Sequence, residues 1–283
     1  MKDELDQFID GIKQLPPSPT LIVELINLFK RPDRNIDQLI DLMSHDPSVT
    51  AEVLKRCNTA FFGSDTPATE LFEATFRLGF FEVYRVVAAL HAAQLIRVPG
   101  AEQGIDVDLV WEHSALTAVC ASLLAKEVRE TEGTAFLGGL LHDVGKVALA
   151  CSAGVEYRRL AENEVSEQSL SKAEKEHFGF SHSEVGGRLL ARWGLPANVF
   201  TPVMFHHSPI EAAPFERLAA ILTLGDSIAY CLAKGTAAPL AKRPESEFSM
   251  QVLQLKPAQL SAIMTRARQD AKHVNELFHI KRT

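Results

Sequence analysis

The chain has 283 residues, 46% of them apolar and 23% charged, with a net charge of −7; such a mixture marks a globular protein long enough to bury its own core without staples. The acidic balance argues against a sequence-independent nucleic-acid binder, which needs a basic face, but allows a small anionic ligand held through a metal ion. The four cysteines, Cys57, Cys120, Cys151 and Cys231, form no C-x-x-C pair, so neither a disulfide framework nor a zinc knuckle is expected.

The opening segment MKDELDQFIDGIKQ is acidic at once and lacks the apolar run of a leader. No uncharged apolar run reaches the roughly 18 residues of a membrane span. The expectation is a cytoplasmic protein in a reducing compartment, with no membrane partner.

Helical periodicity then dominates. Ser18-Pro19 reads as a cap and a first helical position, ahead of an apolar face of Leu21, Ile22, Leu25, Ile26 and Phe29. Arg31-Pro32-Asp33 stops that helix, and Asn35 or Asp37 opens the next, with Ile36, Leu39, Ile40 and Met43 as its stripe. Asp46-Pro47 repeats the cap-plus-proline device before Val49, Val53, Leu54 and Cys57. Gly79 separates two further helices, the second carrying Val83, Val86, Val87 and Leu90.

The periodicity breaks at RVPGAEQGID, residues 97–106, which places a lobe boundary there, between residues 1–100 and 101–283. A long helix from about Asp108 to Arg129 opens the second lobe, a loop is expected over Gly235 to Pro244, and a final helix around Pro257 to Phe278. Nothing alternates at strand period, so the expected fold class is all-α, with two helical lobes.

The chemistry-bearing residues cluster in the second lobe. His113 shares the face of Leu109, Leu116, Cys120 and Leu123, where a core histidine with a satisfied ring is the ordinary reading. His142-Asp143 ends the apolar run Phe136, Leu137, Leu140, Leu141, and a carboxylate there needs a positive partner: Lys146, or a divalent metal that leaves Lys146 for a phosphate oxygen. Ser181-His182-Ser183-Glu184 has the form of a capping box, which puts His182 in a first helical turn, pointing outward. His206-His207 closes a helix begun at Pro196, and adjacent helical residues diverge by about 100°. Asp226 is the one charge in AAILTLGDSIAYCL and must be paired, protonated or metal-bound. Together they supply nitrogen and oxygen donors suited to iron, manganese, zinc or magnesium.

The order of these residues resembles the metal site of the HD superfamily: a His, a His-Asp doublet, further histidines and a closing Asp. His113, His142-Asp143, His182, His206-His207 and Asp226 match it, and LLHDVGK is similar to the doublet motif. LPPSPTLIVELINLF, IDQLIDLMSHDPSVTAEVLKRCNTAFFG and ATFRLGFFEVYRVV resemble the HDOD signature from Leu15 to about Val87, and the resemblance runs on to about Ala233. It implies an all-α fold, HD-domain-like in its C-terminal lobe, and a role in bacterial signal transduction. Many HDOD proteins have lost the ligands and act as non-catalytic output modules; this sequence keeps them all. It departs from the HD-GYP phosphodiesterases, because Ser-Pro-Ile-Glu follows His206-His207 with no GYP tripeptide.

The resemblance implies two functions. One is a metal-dependent phosphohydrolase for a phosphoester or nucleotide, using one or two divalent ions (iron, manganese, zinc or magnesium). His113, His142, Asp143 and Asp226 would hold the first ion; Asp143 would share the second with His182 and His206 or His207; Asp143 and Lys146 would be catalytic. The other is a signalling scaffold that binds a partner protein or nucleotide and keeps a structural or vestigial metal site.

Overall fold

A computed structural model describes residues 4–12, 19–31, 35–44, 46–58, 66–163, 167–235 and 244–277. Within them the fold is all-α.

The N-terminal part holds α1 (Glu4–Gly11), α2 (Thr20–Lys30), α3 (Ile36–Ser44), α4 (Pro47–Cys57), α5 (Leu71–Leu78) and α6 (Phe80–Ile96). Ser18, expected to cap α2, lies outside the described residues; Pro19 sits at the cap position, one residue before the helix rather than in it. Ile22, Leu25 and Ile26 are buried as expected. Arg31 ends α2 in the extended conformation (ψ 129°) that a following proline imposes, while Pro32 and Asp33 lie outside the described residues. Asn35, not Asp37, caps α3: its side chain accepts from Gln38 N at 2.9 Å and Gln38 Oε1 accepts from Asn35 N at 3.2 Å. Asp46 caps α4 by accepting from Ser48 N and Val49 N, with Pro47 in the first turn. Gly79, at φ 81°, ends α5 and starts α6, a turn that a residue with a Cβ would strain.

The C-terminal part holds α7 (Val107–Glu127), α8 (Glu132–Leu141), α9 (Val144–Ala153), α10 (Val155–Glu162), α11 (Glu167–Phe178), α12 (His182–Arg192), α13 (Ala197–Met204), α14 (Glu216–Ala233), α15 (Pro244–Leu253) and α16 (Pro257–Leu277). α7 packs against α8, α14 and α16 and buries residues all round, as a central helix must. Two stretches, 107–127 and 132–153, are long and apolar enough to cross a bilayer, but 61% and 89% of their apolar windows lie inside the protein, so they are core helices. α15 corrects the expectation of a loop reaching Pro244, which is the first residue of that helix; residues 236–243 lie outside the described ones.

The two parts share one apolar core. Tyr84 on α6 donates to the Gly133 carbonyl at the start of α8, at 2.9 Å. α1 sits across α12, where Asp6 and Asp10 pair with Arg188 and Arg192, and Phe8 packs at a tilt against Phe180 just before it.

Candidate metal centre

Five segments converge on one end of α7. His113 comes from α7 itself and is partly exposed at 18%. Its expected neighbour on the apolar stripe, Leu109, is instead 63% exposed, whereas Leu116 and Cys120 further along the stripe are buried. α8 crosses α7 at Gly139, where a Cβ would lie 2.5 Å from the Ala118 Cα. This crossing brings the end of α8, with His142, to a ring-centroid distance of 5.2 Å from His113.

His142 and Asp143 occupy the turn between α8 and α9. Asp143 takes the N-cap position of α9 but makes no capping hydrogen bond; its Oδ2 meets Lys146 Nζ at 2.8 Å. α9 crosses α12 at Gly145, and the first residue of α12 is His182. The capping box of Ser181 and Glu184 is formed, but His182 is fully buried rather than outward-facing. A capping box signals where a helix begins and not what packs over it, and here α9 and Glu174 of α11 pack against that first turn. α13 ends at Met204, so His206 and His207 lie in the following turn and not on the helix, which removes the expected divergence: their ring centroids are 3.9 Å apart. Thr223 on α14 donates to the His206 carbonyl at 2.6 Å and fixes that turn. Asp226, one turn further along α14, is buried.

Each of the seven expected metal ligands therefore reaches one cluster. Three overlapping groups have ligand atoms within 4.8 Å of one another: His113, His142 and Asp226; His142, Asp143 and His206; His182, His206 and His207. The Nδ1 atoms of His142 and His206 donate to the Gly139 and Val203 carbonyls at 2.8 and 2.7 Å, leaving each Nε2 as an acceptor facing the centre. Among the described residues, His113 Nε2, His142 Nε2, His206 Nε2 and Asp226 Oδ1 are buried without a hydrogen-bond partner. His113 Nε2 and Asp226 Oδ1 are 2.9 Å apart yet off the line a hydrogen bond requires.

That arrangement fits a divalent cation. Nitrogen and oxygen ligands about 2.0–2.2 Å from an ion lie roughly 3 Å from one another, and the spacings here are 2.9 Å (His113–Asp226), 3.0 Å (His182–His207) and 3.3 Å (His142–Asp143). Orphaned inward-facing lone pairs are costly without such a partner.

Charge is set by burial against neighbours. For Asp143, burial pushes the pKa up, but His142 and Lys146 outweigh it and hold the carboxyl well below the usual range. Burial acts likewise on Asp226, and His113 beside it brings the carboxyl below its ordinary value. Burial and the surrounding histidines lower His206 to about 3 and push His207 down as well. Both are thus neutral imidazoles at physiological pH, the form a metal requires.

One residue went unnoticed in the sequence. Glu174 on α11 is fully buried and accepts from His182 Nδ1 at 2.6 Å, from His182 N at 2.7 Å and from the Tyr157 hydroxyl at 2.6 Å. In SLSKAEKEHF its chain neighbours are solvated charges, but it lies four residues from both Leu170 and Phe178, on the apolar stripe of α11, and that spacing is the signal that marks it.

The sequence profile of the HDOD domain matches residues 15–209. An uncharacterised protein of Treponema pallidum is 25% identical over 221 residues, 76% of this chain and 42% of that protein. Ribonuclease Y of Fusobacterium nucleatum is 33% identical over 113 residues, 40% of this chain and 16% of that enzyme. The chain thus spans less than half the length of these curated relatives. Among solved structures, a presumed phosphohydrolase from Shewanella amazonensis superposes with a TM-score of 0.74 at 23% identity, covering 98% of this chain and 97% of that one.

Proposed function

The chain belongs to the HDOD-domain family, and from that premise we propose that it is a metal-dependent phosphohydrolase acting on a phosphoester or nucleotide. The observation that supports this most is the set of buried, unpartnered ring nitrogens of His113, His142 and His206 beside Asp226 and Asp143. His113, His142, Asp143 and Asp226 hold one ion; Asp143 also faces the second, held by His182, His206 and His207. Bound there, divalent ions supply Lewis-acid polarisation of a phosphate and activation of water. The imidazole-rich donor set favours iron or zinc, with manganese next and magnesium last.

The chain's own residues do the rest. Asp143 ties the two halves of the centre, with His182 Nε2 at 3.6 Å from its Oδ1 and His142 Nε2 at 3.3 Å from its Oδ2. Lys146, buried and held on Asp143, keeps a cation where a phosphoryl oxygen gains charge. The names of Ribonuclease Y and of the Shewanella protein agree with chemistry at a phosphoester.

A second reading, a signalling scaffold for a partner protein, is favoured by Phe72 and Phe76, one turn apart on α5 and 52% and 74% exposed. In that reading residues 1–100 form the partner-binding lobe and 101–283 the HD-like lobe. Cys57, Cys120, Cys151 and Cys231 are all outside any disulfide, which suits a reducing, cytoplasmic setting.

The test is phosphate release from a panel of phosphoesters and nucleotides by protein loaded with iron, zinc or manganese. Turnover should need metal, vanish in Asp143→Ala and fall about 10²-fold in Lys146→Ala. Metal-loaded protein inert across the panel, or an active Asp143→Ala, would sink the phosphohydrolase and leave the scaffold.

A further inference from the structure

The buried histidines of the centre are oriented in two different ways. His142 and His206 each donate Nδ1–H to the carbonyl three residues earlier, Gly139 and Val203, so their own turns set their ring directions. His182 has no such recourse: it is the first residue of α12, and three residues earlier stands Gly179, at φ 87° in the preceding turn. Its Nδ1 instead meets Glu174 Oε2 at 2.6 Å. Tyr157 on α10 donates to the other oxygen, Oε1, at 2.6 Å. Tyr157, Glu174 and His182 are each fully buried, and they come from three consecutive helices.

A carboxylate so deeply buried is expensive unless a positive charge answers it. The hydrogen-bond donors to Glu174 are His182 and Tyr157, neither of them a lysine or arginine. Capping the start of α12 would use only the His182 N–H; the bond to the ring does nothing for the helix. Since an ionised carboxylate can only accept, Nδ1 carries a proton and Nε2 is turned toward His207 Nε2 at 3.0 Å. At that distance a proton on His207 Nε2 joins the two rings in the metal-free protein, and a cation between them would take that proton's place.

We propose that Glu174, clamped by Tyr157, is a positioning residue for the three-histidine corner formed by His182, His206 and His207: it fixes the ring of His182 and lends negative charge to a corner otherwise made of imidazoles and the shared Asp143. The inference rests on the metal-centre reading above. The His113, His142 and Asp226 corner has no contact with Glu174 among the bonds described, so the two corners depend on it unequally.

The experiment measures zinc per chain after dialysis, zinc affinity by chelator competition, and the His182 tautomer in ¹⁵N-histidine spectra of the metal-free protein. Wild type should hold about two equivalents and Glu174→Ala about one, with the Nδ1–H form of His182 lost. Glu174→Gln should keep both ions, because its amide oxygen replaces Oε2 and its NH₂ turns to Tyr157, but bind the second about 10–100-fold more weakly. Tyr157→Phe should weaken only the second ion. Two equivalents at wild-type affinity in Glu174→Ala, or loss of both ions in step with melting temperature, would overturn the inference. Should Glu174→Ala fail to fold, unchanged affinity in both Glu174→Gln and Tyr157→Phe overturns it equally. A wild type that takes up no zinc refutes the metal-centre reading itself, a result visible before any variant is made.

Discussion

Gly145→Ala tests the crossing on which the centre is built. A Cβ at that position would lie 1.8 Å from the His182 carbonyl oxygen and 2.7 Å from the Gly186 nitrogen. Both atoms are backbone of α12, so no side chain can turn aside. α12 must retreat by about 1.5 Å to restore ordinary contact, and His182, its first residue, retreats with it. A ligand set tolerates displacements of only about 0.5 Å. Overpacking of this kind costs about 1–3 kcal/mol, which for a chain of this size lowers the melting temperature by roughly 2–10 °C. Affinity for the ion at the His182 corner should fall by about tenfold or more, the scale of a lost supporting contact. Thermal unfolding of the metal-free protein measures the first effect and zinc competition the second. A variant that melts within about 1 °C of wild type and binds zinc unchanged would show that the helices do not cross here as described.

Asp46→Ala should cost about 0.5–2 kcal/mol at neutral pH through loss of the α4 cap. The hydrogen bond from Ser48 is the main cause of the lowered Asp46 pKa, so the stabilisation is present above the unfolded carboxylate pKa and is lost as pH falls through the folded one. The gap between the two proteins in urea unfolding should therefore narrow below about pH 4; a gap that widens in acid would contradict the cap. Tyr84→Phe removes the bond to the Gly133 carbonyl and should destabilise by about 1 kcal/mol with zinc affinity unchanged, since Tyr84 joins α6 to the far end of α8 from His142; an affinity change would implicate the N-terminal helices in the centre. Arg217 binds Glu130 and the Val128 and Val252 carbonyls, so Arg217→Lys, which lacks the fork, should lower the melting temperature by a few degrees, whereas no change would mark these contacts as dispensable.

The helices were legible where a cap and an apolar stripe coincide, as at Asp46-Pro47 and at the long α7. α15 escaped because a proline- and alanine-rich approach reads as loop, and only packing on α14 decides that a helix follows at Pro244. The seven site residues were visible as residue types in the right order, yet their directions were not. His182 looked exposed because nothing local announces that α9 and Glu174 of α11 pack against the first turn of α12. His206 and His207 looked divergent because the helix was expected to include them, and the turn after Met204 lets both rings face inward. Glu174 was hidden by composition: its chain neighbours are solvated charges, and only its spacing of four residues from Leu170 and Phe178 points to the face that the fold buries.

The most direct test of the metal centre is elemental analysis of the purified protein beside Asp143→Ala, each expressed without added metal and then dialysed against iron, zinc or manganese. The centre described here predicts about two equivalents in wild type and a marked loss in the variant, since Asp143 faces both groups of histidines. No metal in either protein, before or after dialysis, would contradict it and leave the inward-facing histidines without a function.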